Sequence, residues 1–242
     1  MRNPFPDNHV FKKFLGLKDY FKKYQTQATV NRIREIAQVS RMIRSTGDVI
    51  AFDFLGSVNF GMAESTSDVD LVLYLDCPDI PIDEEMNHSN CPRLKFYETL
   101  VIHSLVHSIS KEKYKIQIVD HINLASLKLA IDEENMDTDI IARFVFYRTL
   151  CRGVNKRFLH PLEKKIMAKP HLFKAVEGTL TEALIEFTRS SSHELSFKKY
   201  INRLEEKGIG IPETVAKKVI EYLAISKEKP PKISAIPGKC LE

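Results

Sequence analysis

Two aspartates separated by one residue, Asp68 and Asp70, are the first candidates for chemistry in this chain. They lie in an alternating apolar run that is typical of a β-strand, so both carboxylates share one face, with Cα atoms roughly 6–7 Å apart. Carboxylates at that spacing can hold divalent cations about 3.5–4 Å apart, an arrangement that activates an attacking oxygen and neutralises a leaving pyrophosphate. Oxygen ligands favour Mg²⁺ or Mn²⁺ over zinc.

A Gly56-Ser57 turn precedes the acid pair, with ten residues between Ser57 and Asp68. It follows a β-rich apolar run, 49–55. Glycine lets backbone N–H groups approach phosphate oxygens, and the serine hydroxyl adds a donor. Either feature alone is more often a plain turn or a solvated strand end, but the two in this order predict phosphate chemistry on a nucleotide.

The order Gly-Ser, ten residues, Asp-Val-Asp-Leu resembles the signature of the DNA polymerase β superfamily of nucleotidyltransferases. Gly61 and Ser67 are similar to the longer pattern of poly(A) polymerases and terminal uridylyltransferases. The resemblance is close around this segment and loose over the rest of the sheet region. It implies that Gly56 and Ser57 bind the phosphates of a nucleoside triphosphate. It also implies that Asp68, Asp70 and a third carboxylate on a neighbouring strand bind Mg²⁺ or Mn²⁺.

The third carboxylate is open between two positions. The strand-like run 114–121 contains one acid, Asp120. If Ile116 and Ile118 face the core, Gln117 faces the cleft and Asp120 shares the isoleucine face, unless a β-bulge reverses the phase. Compact bacterial members of the superfamily carry Val-Asp-Leu-Val-Asp-Leu here, and by that register Gln117 stands where the third acid is expected. Asp120 therefore stays a candidate catalytic and metal-binding residue. A glutamine carbonyl could bind a cation but could not accept a proton.

Composition is that of an ordinary globular protein. The chain has 242 residues, 43% of them hydrophobic, and a net charge of +4 from 36 basic and 32 acidic residues. No apolar run approaches the roughly 20 residues of a membrane span, and the four cysteines show no Cys-x-x-Cys spacing. We expect reduced thiols, no membrane partner and a cytoplasmic location. Basic residues cluster between positions 12 and 44. A solvated helix face is the favoured interpretation of this cluster, over a surface that contacts the phosphates of an acceptor strand.

Hydrophobic periodicity predicts an α/β (α+β) fold, with helices packed on one face of a mixed sheet. The superfamily resemblance implies that this is the nucleotidyltransferase fold. We expect N-terminal helices within 1–46, a catalytic domain at 47–160 and a C-terminal helical region at 161–242. A helix near 137–151, closed by Gly153, places Arg148 and Arg152 four residues apart. A surface stripe is favoured for these two over contact with a triphosphate.

The preferred hypothesis is a metal-dependent enzyme that moves a nucleotidyl group from a nucleoside triphosphate to an acceptor hydroxyl. The rival is a catalytically weakened protein of the same fold that acts as a nucleotide sensor, an RNA-binding module or an antitoxin-like partner. A structural helical protein with a coincidental motif is the third alternative. The base, the acceptor (an RNA 3′ end, a protein or a small molecule) and the oligomeric state stay open.

Overall fold

The computed structural model describes residues 9–45, 47–78, 92–189 and 191–225. Most of the loop predicted between Cys77 and Pro92 lies outside these ranges. The helices of the described residues are α1 (His9–Lys22), α2 (Gln27–Arg44), α3 (Gly56–Phe60), α4 (Pro92–Ser104), α5 (Leu124–Glu133), α6 (Ile140–Leu150), α7 (His160–Met167), α8 (Pro170–Arg189), α9 (Ser191–Glu206) and α10 (Glu213–Ile225). The strands are β1 (Ile50–Phe54), β2 (Val69–Leu75), β3 (Ile116–Asn123) and β4 (Arg152–Val154).

The four strands form one mixed sheet in the order β3-β2-β1-β4. β1 is antiparallel to both β2 and β4, whereas β2 and β3 are parallel. α4, extended by a π-helical turn at Leu105–Ile109, makes the crossover that a parallel pair requires. The mixed α/β prediction is confirmed, and so are the two N-terminal helices and the first three strands.

Helices cover both faces of the sheet, which corrects the expectation of a single covered face. On one face, Phe52 and Leu71 belong to a core that includes Ile36 of α2 and Val101 of α4. On the other face, side chains of β1 and β2 pack with α1, α6, α8, α9 and α10. The second layer forms because α1 presents a fully buried apolar stripe, which includes Phe11, Phe14, Leu17 and Phe21, to the C-terminal helices. Residues of all three predicted segments thus contribute to one core.

A β-bulge interrupts the pairing of β2 with β3. Leu71 is opposite Ile118, but Val72 is opposite Asp120, so Val119 is an extra residue. Beyond the bulge, Ile122 belongs to the same core as Val72. The bulge therefore places Asp120 on the sheet face that carries Val72, which is one of the two phases that the sequence left open.

The end of α6 differs from its prediction. The helix stops at Leu150 instead of being closed by Gly153, because the chain turns into the edge strand β4 and pairs with β1. Gly153 lies opposite Asp53, and a Cβ at position 153 would come within 2.1 Å of an Asp53 carboxylate oxygen. The glycine thus permits close approach of the two strands. In the described part of the chain, no helix is long and apolar enough to cross a membrane.

Candidate nucleotide and metal site

The Gly56 turn and the Asp70 carboxylate lie against each other. The antiparallel pairing of β1 with β2 brings the end of β1 beside the start of β2, and the Leu55 N–H donates to the Asp70 carbonyl at 2.9 Å. Gly56 has a φ of +54°, and a Cβ added there would be 2.9 Å from Asp70 Oδ2. A side chain at position 56 would therefore be strained and would collide with the carboxylate.

The turn continues into α3, a five-residue helix, where the sequence predicts a turn alone. Ser57 is half-buried in it, and Gly61 ends it in a left-handed conformation with a φ of +84°. A Cβ at position 61 would lie 3.0 Å from the Gln25 side chain. The glycine of the longer pattern thus has a local structural reason here.

Asp68 and Asp70 form a pair of like charges. Asp68 is exposed and Asp70 half-buried. Burial raises the pKa of Asp70, the neighbouring Asp68 raises it further, and Lys115 partly opposes the shift. Among the described residues, neither carboxylate accepts a hydrogen bond or forms an ion pair. Both are therefore available to a cation, which would relieve their mutual repulsion.

Gln117 is the cross-strand neighbour of Asp70. Its side chain is exposed, and Ile116 and Ile118, on either side of it, belong to the opposite core. The position beside the acid pair is thus occupied by a carboxamide. The described residues contain no group of three or more histidine, cysteine, aspartate or glutamate side chains placed to hold a metal ion.

Asp120 shares the face of Asp70 but is bound elsewhere. Its oxygens accept from Arg143 Nε at 3.1 Å, from Arg143 Nη2 at 2.9 Å and from the Tyr147 hydroxyl at 2.8 Å. Burial alone would lower the pKa of Arg143, but Asp120 and Asp139 raise it overall. Burial and then Asp120 raise the pKa of Tyr147. The structure does not bring Asp120 together with Asp68 and Asp70 as a set of three ligands.

Helix α9, in the C-terminal region, covers the site from one side. Arg203 donates to the Met62 carbonyl at 2.5 Å and forms an ion pair with Glu64 at 2.7 Å. The Tyr200 ring, with Gly56 and Phe60, lines a pocket of about 40 Å³, roughly one water molecule in size. Burial raises the pKa of Tyr200 to about 12, against the influence of Arg203. Sequence patterns around the motif contain no signal for these distant residues.

Arg148 lies in a buried network beneath the site and not on a surface stripe. Its Nη1 donates to both carboxylate oxygens of Asp53, at 2.7 and 2.9 Å, and its Nε donates to Glu163 at 2.7 Å. Tyr74 also donates to Asp53, at 2.6 Å. Arg152, predicted on the same helix, lies in β4 instead. Arg148 therefore ties the sheet to the C-terminal helices through Asp53 and Glu163.

The available donors are chemically suited to a hard divalent cation. Asp68 and Asp70 offer carboxylate oxygens, and Gln117 could add a carbonyl oxygen, a set that Mg²⁺ or Mn²⁺ accepts and zinc does not prefer. Comparisons with protein-family models, with curated proteins and with solved structures found no match to this chain. The superfamily resemblance therefore stays a prediction from the residues themselves.

Proposed function

We propose that the chain has the nucleotidyltransferase fold and binds a nucleoside triphosphate with Mg²⁺ or Mn²⁺. We further propose that it transfers the nucleotidyl group to an acceptor hydroxyl. The observation that supports the proposal is the close approach of the Gly56 turn to Asp70, because a turn of a kind suited to phosphate then lies beside an acid pair of a kind suited to metal. Gly56 and Ser57 would hold the phosphates, and Asp68 and Asp70 would hold the metal.

The chain's own residues set limits on the transfer step. In that step the acceptor oxygen forms a bond to the α-phosphorus, the bond to pyrophosphate breaks, and the acceptor loses a proton. Bound metal would supply charge neutralisation at the phosphates. Gln117 cannot take this proton. Removal of the proton would therefore depend on the carboxylates of Asp68 and Asp70 or on water. We therefore expect slow turnover.

Binding without turnover is the second candidate function. Two observations favour it: Gln117 is the cross-strand neighbour of Asp70, and Asp120 is bound by Arg143 and Tyr147. A protein of this kind would be a nucleotide sensor or an RNA-binding or antitoxin-like partner. The two candidates share the metal and nucleotide site and differ only in chemistry.

A paired binding and turnover experiment separates these candidates. Isothermal titration with each of the four ribonucleoside triphosphates, with and without Mg²⁺, measures binding, and pyrophosphate release in the presence of an RNA, protein or small-molecule acceptor measures turnover. The double variant Asp68→Asn, Asp70→Asn should lose both. Asp76→Asn, an exposed aspartate just beyond β2, is the matched control. Metal-dependent binding without pyrophosphate release selects the second candidate, and turnover retained by the double variant refutes the proposed site.

A further inference from the structure

The segment between the Gly56 turn and the acid pair is held by one face of α2. The Thr26 N–H donates to the Gly61 carbonyl at 2.9 Å, and the Thr26 hydroxyl donates to the Ala63 carbonyl. Thr29 Oγ1 accepts from the Ala63 N–H at 3.1 Å. Thr26 and Thr29 are three residues apart and therefore occupy the same side of the helix start. Both threonines thus bond Ala63, and Thr26 also bonds Gly61.

Arg32, three residues further along the same face, completes this row. Its side chain is fully buried, a costly position for a charge unless several partners compensate. Nη2 donates to the Ser65 carbonyl at 2.8 Å, and Nη1 forms an ion pair with Glu112 at 2.7 Å. The guanidinium carbon is 3.5 Å from the centre of the Tyr114 ring. Arg32 thus joins the residues that precede Asp68 to the residues that precede β3.

These two segments lead directly into the candidate metal site. The Val69 N–H donates to the Lys115 carbonyl at 2.9 Å, which begins the pairing of β2 with β3, and the next pair is Asp70 opposite Gln117. Arg32 therefore bonds both segments just before they pair, close to the point where Asp70 meets β3. A rigid backbone is what a metal pair needs, since ligands must be held within about 0.5 Å of their working geometry.

We propose that Arg32 and Thr29 are positioning residues that hold Asp68 and Asp70 in a metal-binding arrangement from the far side of the sheet. The statement about metal rests on the proposed function. The hold of Arg32 and Thr29 on the backbone is independent of the proposed function, because it concerns the 61–69 segment alone. Neither residue touches the metal or the nucleotide, so each acts only through the backbone that it holds.

The test measures two properties of the 242-residue chain. Mn²⁺ binding is followed by the paramagnetic resonance of the free ion, and backbone opening at 61–69 by amide hydrogen exchange. Arg32→Gln removes the charge, and Arg32→Lys restores it without the planar fork. Thr29→Val removes the acceptor for the Ala63 N–H with little change of shape, and Thr29→Ser restores it. Ile36→Val shortens a buried α2 side chain that packs in the hydrophobic core, and it controls for general destabilisation. Arg34→Gln, at an exposed position of α2, controls for the loss of charge.

We expect Arg32→Gln to weaken Mn²⁺ binding at least tenfold and to speed exchange at 61–69 at least tenfold. Thr29→Val should act in the same direction, and Arg32→Lys and Thr29→Ser should recover part of each effect. Ile36→Val and Arg34→Gln should leave both properties within twofold of the wild type. Exchange that rises equally in Arg32→Gln and Ile36→Val would overturn the proposal. Unchanged Mn²⁺ binding in Arg32→Gln would also overturn it.

The two readouts keep the failure of this inference apart from failure of the proposed function. If the wild-type chain binds no Mn²⁺, the proposed function is wrong, and hydrogen exchange alone then decides whether α2 holds the segment. Local acceleration at 61–69 would still support the structural role of Arg32 and Thr29. Exchange rates there that match those of the two control variants would refute it.

Discussion

Two positions on β3 face the same side of the sheet, yet their surroundings are opposite. Gln117 lies beside Asp70, whose carboxylate has no hydrogen-bond or ion-pair partner among the described residues. Asp120, just past the bulge, is bound by a guanidinium, a phenol and a backbone N–H. At the Gln117 position, the neighbouring Asp70 has a negative charge with no partner in the described part of the chain. At the Asp120 position, the negative charge is compensated by its partners. A carboxylate left uncompensated costs stability and suits a ligand, whereas a compensated one destabilises the fold when its partner is removed.

The largest expected effect separates the two carboxylates by metal binding. Asp70→Asn should weaken Mn²⁺ binding about 100-fold or more, because it removes a charged ligand. Loss of a residue that only orients a metal ligand already weakens metal binding about 10–100-fold. Asp120→Asn should change Mn²⁺ binding less than twofold. Titration followed by the resonance of free Mn²⁺ measures both. Equal losses in the two variants would show that Asp120 is a metal ligand after all.

Arg143→Met should produce the largest loss of stability. It leaves Asp120 half-buried beside Tyr147 without its cation, at a cost of about 2–3 kcal/mol in the free energy of unfolding. Urea denaturation followed by circular dichroism measures the loss, with exposed Arg41→Met as the control. Mn²⁺ binding should stay within twofold of the wild type. A change in the free energy of unfolding below about 0.5 kcal/mol would show that the Asp120 cluster is not structural.

Gln117→Asp should add a third carboxylate beside Asp68 and Asp70. We expect Mn²⁺ binding to tighten about tenfold, equivalent to about 1.4 kcal/mol, and pyrophosphate release to become faster, because the new carboxylate can accept a proton. Without metal, the variant should be less stable by about 0.2–1 kcal/mol, since it places like charges opposite each other. Gln117→Asn is the control that keeps the amide. Weaker Mn²⁺ binding in Gln117→Asp would place the third ligand elsewhere.

The smallest expected effect is a gain in stability from Asp70→Asn. The pKa of Asp70 is raised in the folded state, so the folded chain holds its proton more tightly than the unfolded chain. As pH rises above the ordinary aspartate pKa and through the raised one, ionisation costs stability, and this cost is fully present at pH 7.

Replacing Asp70 by asparagine should therefore stabilise the metal-free protein at pH 7, by less than about 1 kcal/mol because the group is partly screened by water. At pH 3 the difference should vanish. Thermal denaturation at both pH values measures the change, and a variant less stable than the wild type at pH 7 would contradict the assigned cause.

Sequence reasoning reached the local features and failed where distant residues meet. The helices α1 and α2 and the strands β1 to β3 follow from apolar periods of 3.6 and 2 residues. The edge strand β4 was missed because three residues of mixed polarity, among them Gly153, form a strand only through pairing with β1. The second helical layer was missed because a helix pattern reveals an apolar stripe but not which surface covers it.

The amino-acid sequence by itself determined the turn at Gly56, the position of Asp70 in a strand and the carboxamide at position 117. These depend on residue type and on the two-residue repeat of a strand. Only the tertiary structure decided the bulge at Val119, the engagement of Asp120 by Arg143 and the hydrogen bond from Arg32 to the Ser65 carbonyl. Each of these brings together residues far apart in the chain, and such pairings are selected by the packing of the whole fold.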